Sequence, residues 1–404
     1  MNARRAPPGS GLAEAAPGNV TTVHLLLNRF VNDNRVLRAA QVSRRFGPTH
    51  VLALLEAGLA ARESVDDIEV CRIGLRSRPW SKRAPVQVLK YLEAAWRFRR
   101  EGRRLRPAVV HAHDLNTLPI GYWLARSCGA RLIYDSHELW SAAPHMDRQP
   151  GWITGIRLRA ERWFARRADR VIAVSDGIAD VMAREMGISR PVVVHNMPAL
   201  PPAEGEAVGP LRRSLGLAAS VPVLLYQGKF APTKGVELLV EAMKHVTHPG
   251  AVLVLVGEGP LEPALREAVA DGGLAGRVLF HASVPGKVLH AWTRDATIGL
   301  YAVEGAHLSK RLSLANKFFE YLQAGLAVVV TDMPEMRKLL DRYGFGEAVP
   351  PADARAFAAH VDALLGDPPR LQRYRDAARR AAIDIARERG GALEDLYREL
   401  IAPR

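Results

Sequence analysis

Three segments in the second half of the chain hold residue types suited to a diphosphate and a vicinal diol. In YQGKFAPTKGVELLVEAM (226–243), Gly228 ends an apolar run without a side chain, and Lys229 and Lys234 flank the loop. Gly235 precedes a helical apolar face of Val236, Leu238, Leu239 and Ala242. A helix start beside two ammonium groups suits a phosphate or diphosphate. The spacing is not that of a Walker loop, and a solvated turn with surface lysines is the plain alternative. In VGEGPLEPALRE (256–267), Gly257 and Gly259 admit close backbone approach, and Glu258 can accept from a hydroxyl or a base NH. A tight strand-to-helix turn would use the same residues. In LSLANKFFEYLQAGLAVVVTDMPE (312–335), Asn316, Lys317 and Glu320 open a helix that ends near Gly325. Glu320 lies one turn beyond Asn316 on the same face. Its carboxylate can accept from two vicinal hydroxyls, as on a ribose, while the helix start donates NH groups to phosphate oxygens. The alternative is a helix-starting Asn with an ordinary surface Glu.

These loops need elements to hold them. Short apolar runs at 20–27, 49–55, 108–113, 130–136, 170–175 and 191–196 alternate with segments of helical period. A second series follows at 221–228, 251–259, 277–283, 296–302 and 326–332. Continuous apolar strands separated by helices imply parallel sheets covered on both faces. The fold class is therefore α/β, with two Rossmann-like doubly wound domains facing across a cleft. Residues 1–19 are expected to be a disordered start, 20–200 the first domain, and 201–404 the second domain with C-terminal helices. The Pro/Gly-rich stretch within 199–217 reads as the linker. Ligands of such sheets bind beyond the carboxyl ends of the strands, and the segments above lie there.

The ordered run GKFAPTKG, LVGEGP and LANKFFEYLQAGLAVVVTDMPE resembles the retaining GT-B glycosyltransferases of family 4. The resemblance covers most of residues 22–345. It implies that Lys229 and Lys234 bind the donor diphosphate, that Glu320 binds the nucleotide ribose, and that the sugar is transferred with retention. There are two departures. Many family members carry two glutamates separated by seven residues, and here the earlier position is Leu312, with Glu304 further upstream. The first basic residue is Lys229 where arginine is usual.

On the acceptor side, Asn32, Asp33, Asn34 and Arg35 stand where many members have a glycine-rich loop. Arg35 can face the donor phosphates and Asp33 an acceptor hydroxyl. Helix capping by Asp33 or Asn34 with a solvated Arg35 is the alternative. In VVHAHDLNTLPIG (109–121), His111 and His113 share a strand face. Zinc is disfavoured by the poor supply of further ligands. The resemblance instead makes His113 the active-site histidine that meets donor sugar and acceptor, with Asp114 orienting it or capping the next helix. Asp135, His137 and Glu138 of YDSHELW (134–140) are expected to line the cleft, with capping by Asp135 or Ser136 as an equal alternative.

The 404 residues are 48% apolar and 24% charged, as in soluble globular chains. No apolar run is long enough to span a membrane. The two cysteines, Cys71 and Cys128, cannot form a disulfide framework or structural zinc site and fit a reducing compartment. Net charge is +14, and residues 1–200 hold 31 basic against 18 acidic residues, so nearly all the excess sits in the first half. That favours anionic partners. Segments 87–106 and 151–170 combine arginines with Leu89, Leu92, Trp96, Trp152, Ile156 and Trp163, suiting an anionic membrane surface. Helices that pack on the sheet and expose their charges would read the same. No nucleic-acid module is visible. The expected partners are a nucleotide-diphosphate sugar and a glycan or lipid-linked acceptor, in the cytoplasm or at the inner membrane face. No Asp-x-Asp motif occurs, so no metal cofactor is expected. A nucleotide-sugar epimerase and a degenerate, non-catalytic binder on the same scaffold are the competing readings.

Overall fold

The apolar runs form strands because their side chains are buried on both faces, as a helix-covered parallel sheet requires. The computed structural model describes residues 20–31, 33–81, 83–142, 150–198, 209–303 and 307–402. Residues 1–19, Asn32, Glu304 and the linker residues 199–208 lie outside these.

The first sheet contains β1 (Thr22–Leu25), β2 (Thr49–Leu54), β3 (Arg62–Val65), β4 (Ile68–Ile73), β5 (Val109–His113), β6 (Arg131–Asp135), β7 (Arg170–Ala173) and β8 (Val192–Val193). Its order is β3-β4-β2-β1-β5-β6-β7-β8, parallel except for the antiparallel β3–β4 hairpin. That hairpin is absent from the sequence expectations. It turns at Asp66 and Asp67, both with positive φ, and β3 is largely exposed, so no apolar run marks it. The second sheet contains β9 (Val223–Gln227), β10 (Val252–Val256), β11 (Val278–His281), β12 (Ile298–Tyr301), β13 (Ala327–Thr331) and β14 (Gly346–Val349), all parallel, in the order β11-β10-β9-β12-β13-β14.

Helices α1 (Asn34–Arg44), α2 (Ala84–Arg104), α3 (Leu118–Cys128), α4 (Gly151–Ala165) and α5 (Asp176–Met186) belong to the first lobe. The second lobe has α6 (Pro210–Leu215), α7 (Val236–Met243), α8 (Glu262–Asp271), α9 (Gly286–Arg294), α10 (Leu308–Arg311), α11 (Asn316–Gln323), α12 (Pro334–Tyr343) and α13 (Ala354–Leu365). The last helix, α14 (Pro368–Ile401), serves both. Its Ala377, Ala381 and Ile385 join the core of the second lobe. Its Leu393, Leu396, Tyr397 and Leu400 then pack with Val20, Val109, Ile133 and Ile172 of the first. Gly390 and Gly391 sit between these two stretches. The final turns of the 201–404 segment therefore return to the first lobe, because their apolar face is completed by first-lobe strands.

In each sheet the chain winds outward in two directions from its first strand, giving switch points at β1/β5 and β9/β12. Crevices beyond such points are where open α/β sheets bind ligands. Among the described residues no helix is long and apolar enough to cross a membrane.

Candidate active site

The donor half of the site opens beyond β9, β10 and β11. A cavity of about 690 Å³ is lined by Gly228 and Lys229 after β9, Gly257, Glu258 and Gly259 after β10, Ser283 and Val284 after β11, and Asn316, Lys317 and Glu320 on α11. The glycines serve close approach. A Cβ on Gly257 would lie 1.9 Å from the Gly228 carbonyl oxygen, and one on Gly259 would lie 2.2 Å from that of Phe230. The two loops thus meet backbone to backbone, which only glycine permits. Glu258 accepts from the Ser283 hydroxyl at 2.6 Å.

Gly228 also makes room for a cation. Its missing Cβ would sit 3.0 Å from Lys317 Nζ. That ammonium is buried, lies 3.7 Å from the centroid of the Tyr226 ring, and has no hydrogen-bond partner. Burial, then the nearby charge of Lys234, push its pKa down to about 7, and Glu320 opposes them. A buried charge without a partner is costly, so the site is preset for an anion. Lys229 is exposed at the cavity wall. Lys234 is exposed outside the lining and reaches the site through its field. The loop that carries it is tied to α10 by Lys310, which donates to the Thr233 hydroxyl.

Glu320 and Asn316 share the cavity-facing side of α11, as their spacing implies. Glu320 Oε2 accepts from Gln227 Nε2 at 2.5 Å, and burial raises its pKa against that hydrogen bond. Its other oxygen has no hydrogen-bond partner among the described residues. Gln227, Tyr226 and Lys310 are absent from the sequence expectations. Gln227 and Tyr226 end an apolar strand, and their strand-end position is the one signal that marks them.

The first-lobe half lies at the β1/β5 switch point. The register pairs His24 with His111 and His113 with Asp135. The rings of His24, His111 and His113 stack, with centroids 4.3 Å apart for His111 and His113. His113 Nε2 meets His24 Nδ1 at 3.0 Å, and its Nδ1 meets His137 Nε2 and Asp135 Oδ2, both at 3.2 Å. Both ring nitrogens of His113, the residue the resemblance sets against the donor sugar, are engaged inside the protein, and the strand face it shares with His111 is covered. Burial, then the neighbouring His111, hold its pKa well below the usual histidine value. The partly exposed member is His137. Burial works against its charge, but Asp114 and Asp135 outweigh it, and its pKa is raised.

Arg35 does not face the cleft as a free cation. It is buried, its Nη2 and Nε fork onto Asp135 at 2.5 and 3.1 Å, and its Nη1 donates to the Val194 carbonyl. Burial alone would raise the Asp135 pKa, yet Arg35 and then His137 keep it well below the usual carboxylate range. Asp33 caps α1 by accepting from the Val36 NH. Asp114, at a positive φ of 67°, pairs with His137 rather than His113. Thr117, not Asp114, is the N-cap of α3. The Glu138 carbonyl accepts from Ser136, fixing the turn after β6. His24, His111 and His113, and separately His113, Asp135 and His137, bring their possible ligand atoms within 4.8 Å of one another. In this arrangement those atoms are spent on one another and Asp135 also holds Arg35.

The lobes touch around α10. The Leu139 NH donates to Ser309 Oγ at 3.3 Å, Ser175 Oγ to the Leu312 carbonyl, and the Gly177 NH to Glu335 Oε1 at 3.2 Å. The Leu312 side chain packs against the first-lobe core and fills the space over Gly177. Leu312 thus makes an apolar contact between the lobes.

Two Rossmann-like lobes, each with residues gathered beyond its switch point, have the architecture of the GT-B class of glycosyltransferases. Residues 34–197 match the glycosyl transferase 4-like domain and residues 221–367 match glycosyl transferases group 1. The chain belongs to this family of group 1, family 4 glycosyltransferases. It is 27% identical to the alpha-D-kanosaminyltransferase of Streptomyces kanamyceticus, over 81% of this chain and 91% of the relative. It is 33% identical to the 2-deoxystreptamine N-acetyl-D-glucosaminyltransferase of Streptomyces fradiae, over 45% and 46% of the two chains. In fold it matches sucrose-phosphate synthase of Thermosynechococcus elongatus at a TM-score of 0.74 and 18% identity, over 95% and 99% of the chains. It also matches Anabaena HepE in complex with UDP-glucose at 0.69 and 15%, over 94% and 100%.

Proposed function

We propose that this enzyme transfers a sugar from a nucleotide-diphosphate sugar to an acceptor hydroxyl with retention, in the assembly of cell-envelope polysaccharide or glycolipid. The observation that carries the donor side is the partnerless, buried Lys317 ammonium against Gly228, with Glu320 in the same cavity. A diphosphate there is met by Lys317, Lys229 and the NH groups at the start of α11, with Lys234 adding its field. The free oxygen of Glu320 takes the ribose hydroxyls. Cations already aimed at the leaving group stabilise its developing charge without requiring a metal. Retention follows from front-face attack, in which the departing phosphate oxygen takes the acceptor proton and positioning dominates over a protein base. His137 is the first-lobe group with exposed surface to hold donor sugar or acceptor, with His113 and Asp135 orienting it.

One relative is named for 2-deoxystreptamine, an amine. Such an acceptor is itself cationic, and the first lobe holds nearly all of the net positive charge. Like charge opposes that acceptor and favours a neutral or anionic glycan or lipid-linked glycan at the inner membrane face. The test is a thermal-shift panel of uridine, guanosine, adenosine and thymidine diphosphates and their sugars, then turnover with envelope lipid fractions. Transfer with an inverted anomeric product refutes retention. Isomerisation of free donor without acceptor supports the epimerase, and donor binding without turnover supports the degenerate binder.

A further inference from the structure

Five of the seven tryptophans are exposed, and all five belong to the first lobe: Trp80, Trp96, Trp123, Trp152 and Trp163, at 41–70% relative exposure. Exposed indoles in that number are not how a soluble surface is built. Four of them lie on three neighbouring helices and Trp80 just ahead of the first, with Tyr122 of α3 in edge contact with Trp163 of α4. On α2 the inner stripe is Ala94, Phe98 and Gly102, where a Cβ would lie 2.5 Å from Leu124 Cδ2. The opposite stripe is Leu89, Leu92, Trp96, Arg99 and Arg103, all exposed. On α4 the inner stripe ends in Glu161 and Ala165, and the outer stripe is Trp152, Ile156, Arg159 and Trp163.

The charge on this face has one sign. Helices α2, α3 and α4 carry ten Lys and Arg and three carboxylates. The three carboxylates are engaged within the lobe. Glu93 accepts from the NH groups of Arg76 and Ser77 at 2.8 Å and pairs with Arg97, Glu101 pairs with Arg62 and Arg104, and Glu161 is buried against the Tyr134 hydroxyl. Among the described residues, Arg99, Arg100, Arg103 and Arg106 are left as the unneutralised cations beside Trp96. Beyond Trp96, a recess of about 580 Å³ is lined by that indole and by Arg99, Arg100, Arg103, Arg104 and Arg106. Apolar and indole surface beside a dense cationic recess matches the depth profile of a bilayer edge, with acyl chains below and anionic headgroups above.

We propose that the outer face of α2, α3 and α4 lies on an anionic lipid bilayer, with its indoles at headgroup depth and the α2 arginines on lipid phosphates. In a parallel, doubly wound sheet each crossover helix starts on the carboxyl-end side of the strand it follows, which sets Trp80, ahead of α2, and Trp152, in the first turn of α4, toward the cleft end of the lobe. Docking by this face sets the mouth of the cleft beside the membrane. The inference deepens the membrane-side acceptor reading above and is tested without donor or acceptor.

The purified chain is co-sedimented with vesicles of phosphatidylcholine alone or mixed with phosphatidylglycerol, while indole fluorescence is followed. The expected result is binding to the anionic vesicles with a blue shift, weakened by salt and roughly thirtyfold weaker in R99E/R103E. W96S/W152S should lose the shift and the binding while keeping its melting temperature and its affinity for nucleoside diphosphate. Those retained readouts separate loss of docking from loss of fold or of the donor site. Absence of binding to anionic vesicles overturns the proposal, as does equal binding by either double variant. A lipid-free dimer dispersed by W96S/W152S, or RNA binding stronger than vesicle binding and lost in R99E/R103E, assigns the face to another partner and overturns it too.

Discussion

The Lys317 ammonium lies 3.7 Å from the centroid of the Tyr226 ring and 5.4 Å from that of Tyr301. Two aromatic faces soften the burial of a charge by a fraction of what water supplied. They offer no acceptor for its three NH donors. The cation is held in position by packing and left for a ligand to complete.

Replacing Lys317 with Met should weaken nucleoside diphosphate binding by about 2 kcal/mol, the scale of a charge-assisted hydrogen bond. Calorimetry measures it, and unchanged affinity would remove Lys317 from the site. Because only the protonated amine serves, affinity should fall as pH rises through about 7. Binding at pH 7 should take up roughly half a proton, read from buffers of different ionisation enthalpy.

Lys234 acts on the same group from outside the cavity. Lys234→Ala removes a like charge, so the Lys317 pKa rises and the alkaline loss of affinity moves to higher pH. Affinity at pH 6 should still drop, since the field on the diphosphate weakens. A pH profile parallel to the native one would deny the coupling.

Glu320→Ala should weaken a nucleoside diphosphate while leaving inorganic pyrophosphate unaffected, because the carboxylate is assigned to the ribose. Equal loss for both ligands would place Glu320 at the phosphates instead.

Asp135→Asn leaves the buried Arg35 guanidinium without its counter-charge. Breaking such a pair costs about 3 kcal/mol or more, measurable by denaturant unfolding. Unaltered stability would show that the Arg35 fork is unimportant to the fold.

Glu161 is buried on α4, and burial raises its pKa from 4.5 to about 7 despite the Tyr134 hydroxyl. Its protonated form fits the fold, so that contribution is full below pH 4.5 and is lost as pH rises through 7. Glu161→Gln should therefore stabilise the protein at pH 8, by on the order of 3 kcal/mol, and change little at pH 4. Parallel stability curves for the two proteins contradict this.

The donor half was legible because its demands are local. Gly228, Gly257 and Gly259 stand where loops touch, and Asn316, Lys317 and Glu320 are spaced by one helix. The β3–β4 hairpin and the fate of His113 were not. Its ring nitrogens are claimed by His24 and His137, 89 and 24 residues away, and Arg35 meets Asp135 across 100 residues. Only strand order brings these together. Leu312 reads as a missing acid in the sequence and as a contact between lobes in the fold.

A helix shared by both halves restricts how they can swing. Leu393 and Tyr397 anchor its end under the first sheet, so wide separation would pull these side chains into water. Gly390 and Gly391 are the least helix-favouring residues of α14 and fall where it passes from one half to the other. A bend at that pair would let the crevice gape and shut while both anchorages stayed seated, like a door turning on a strap.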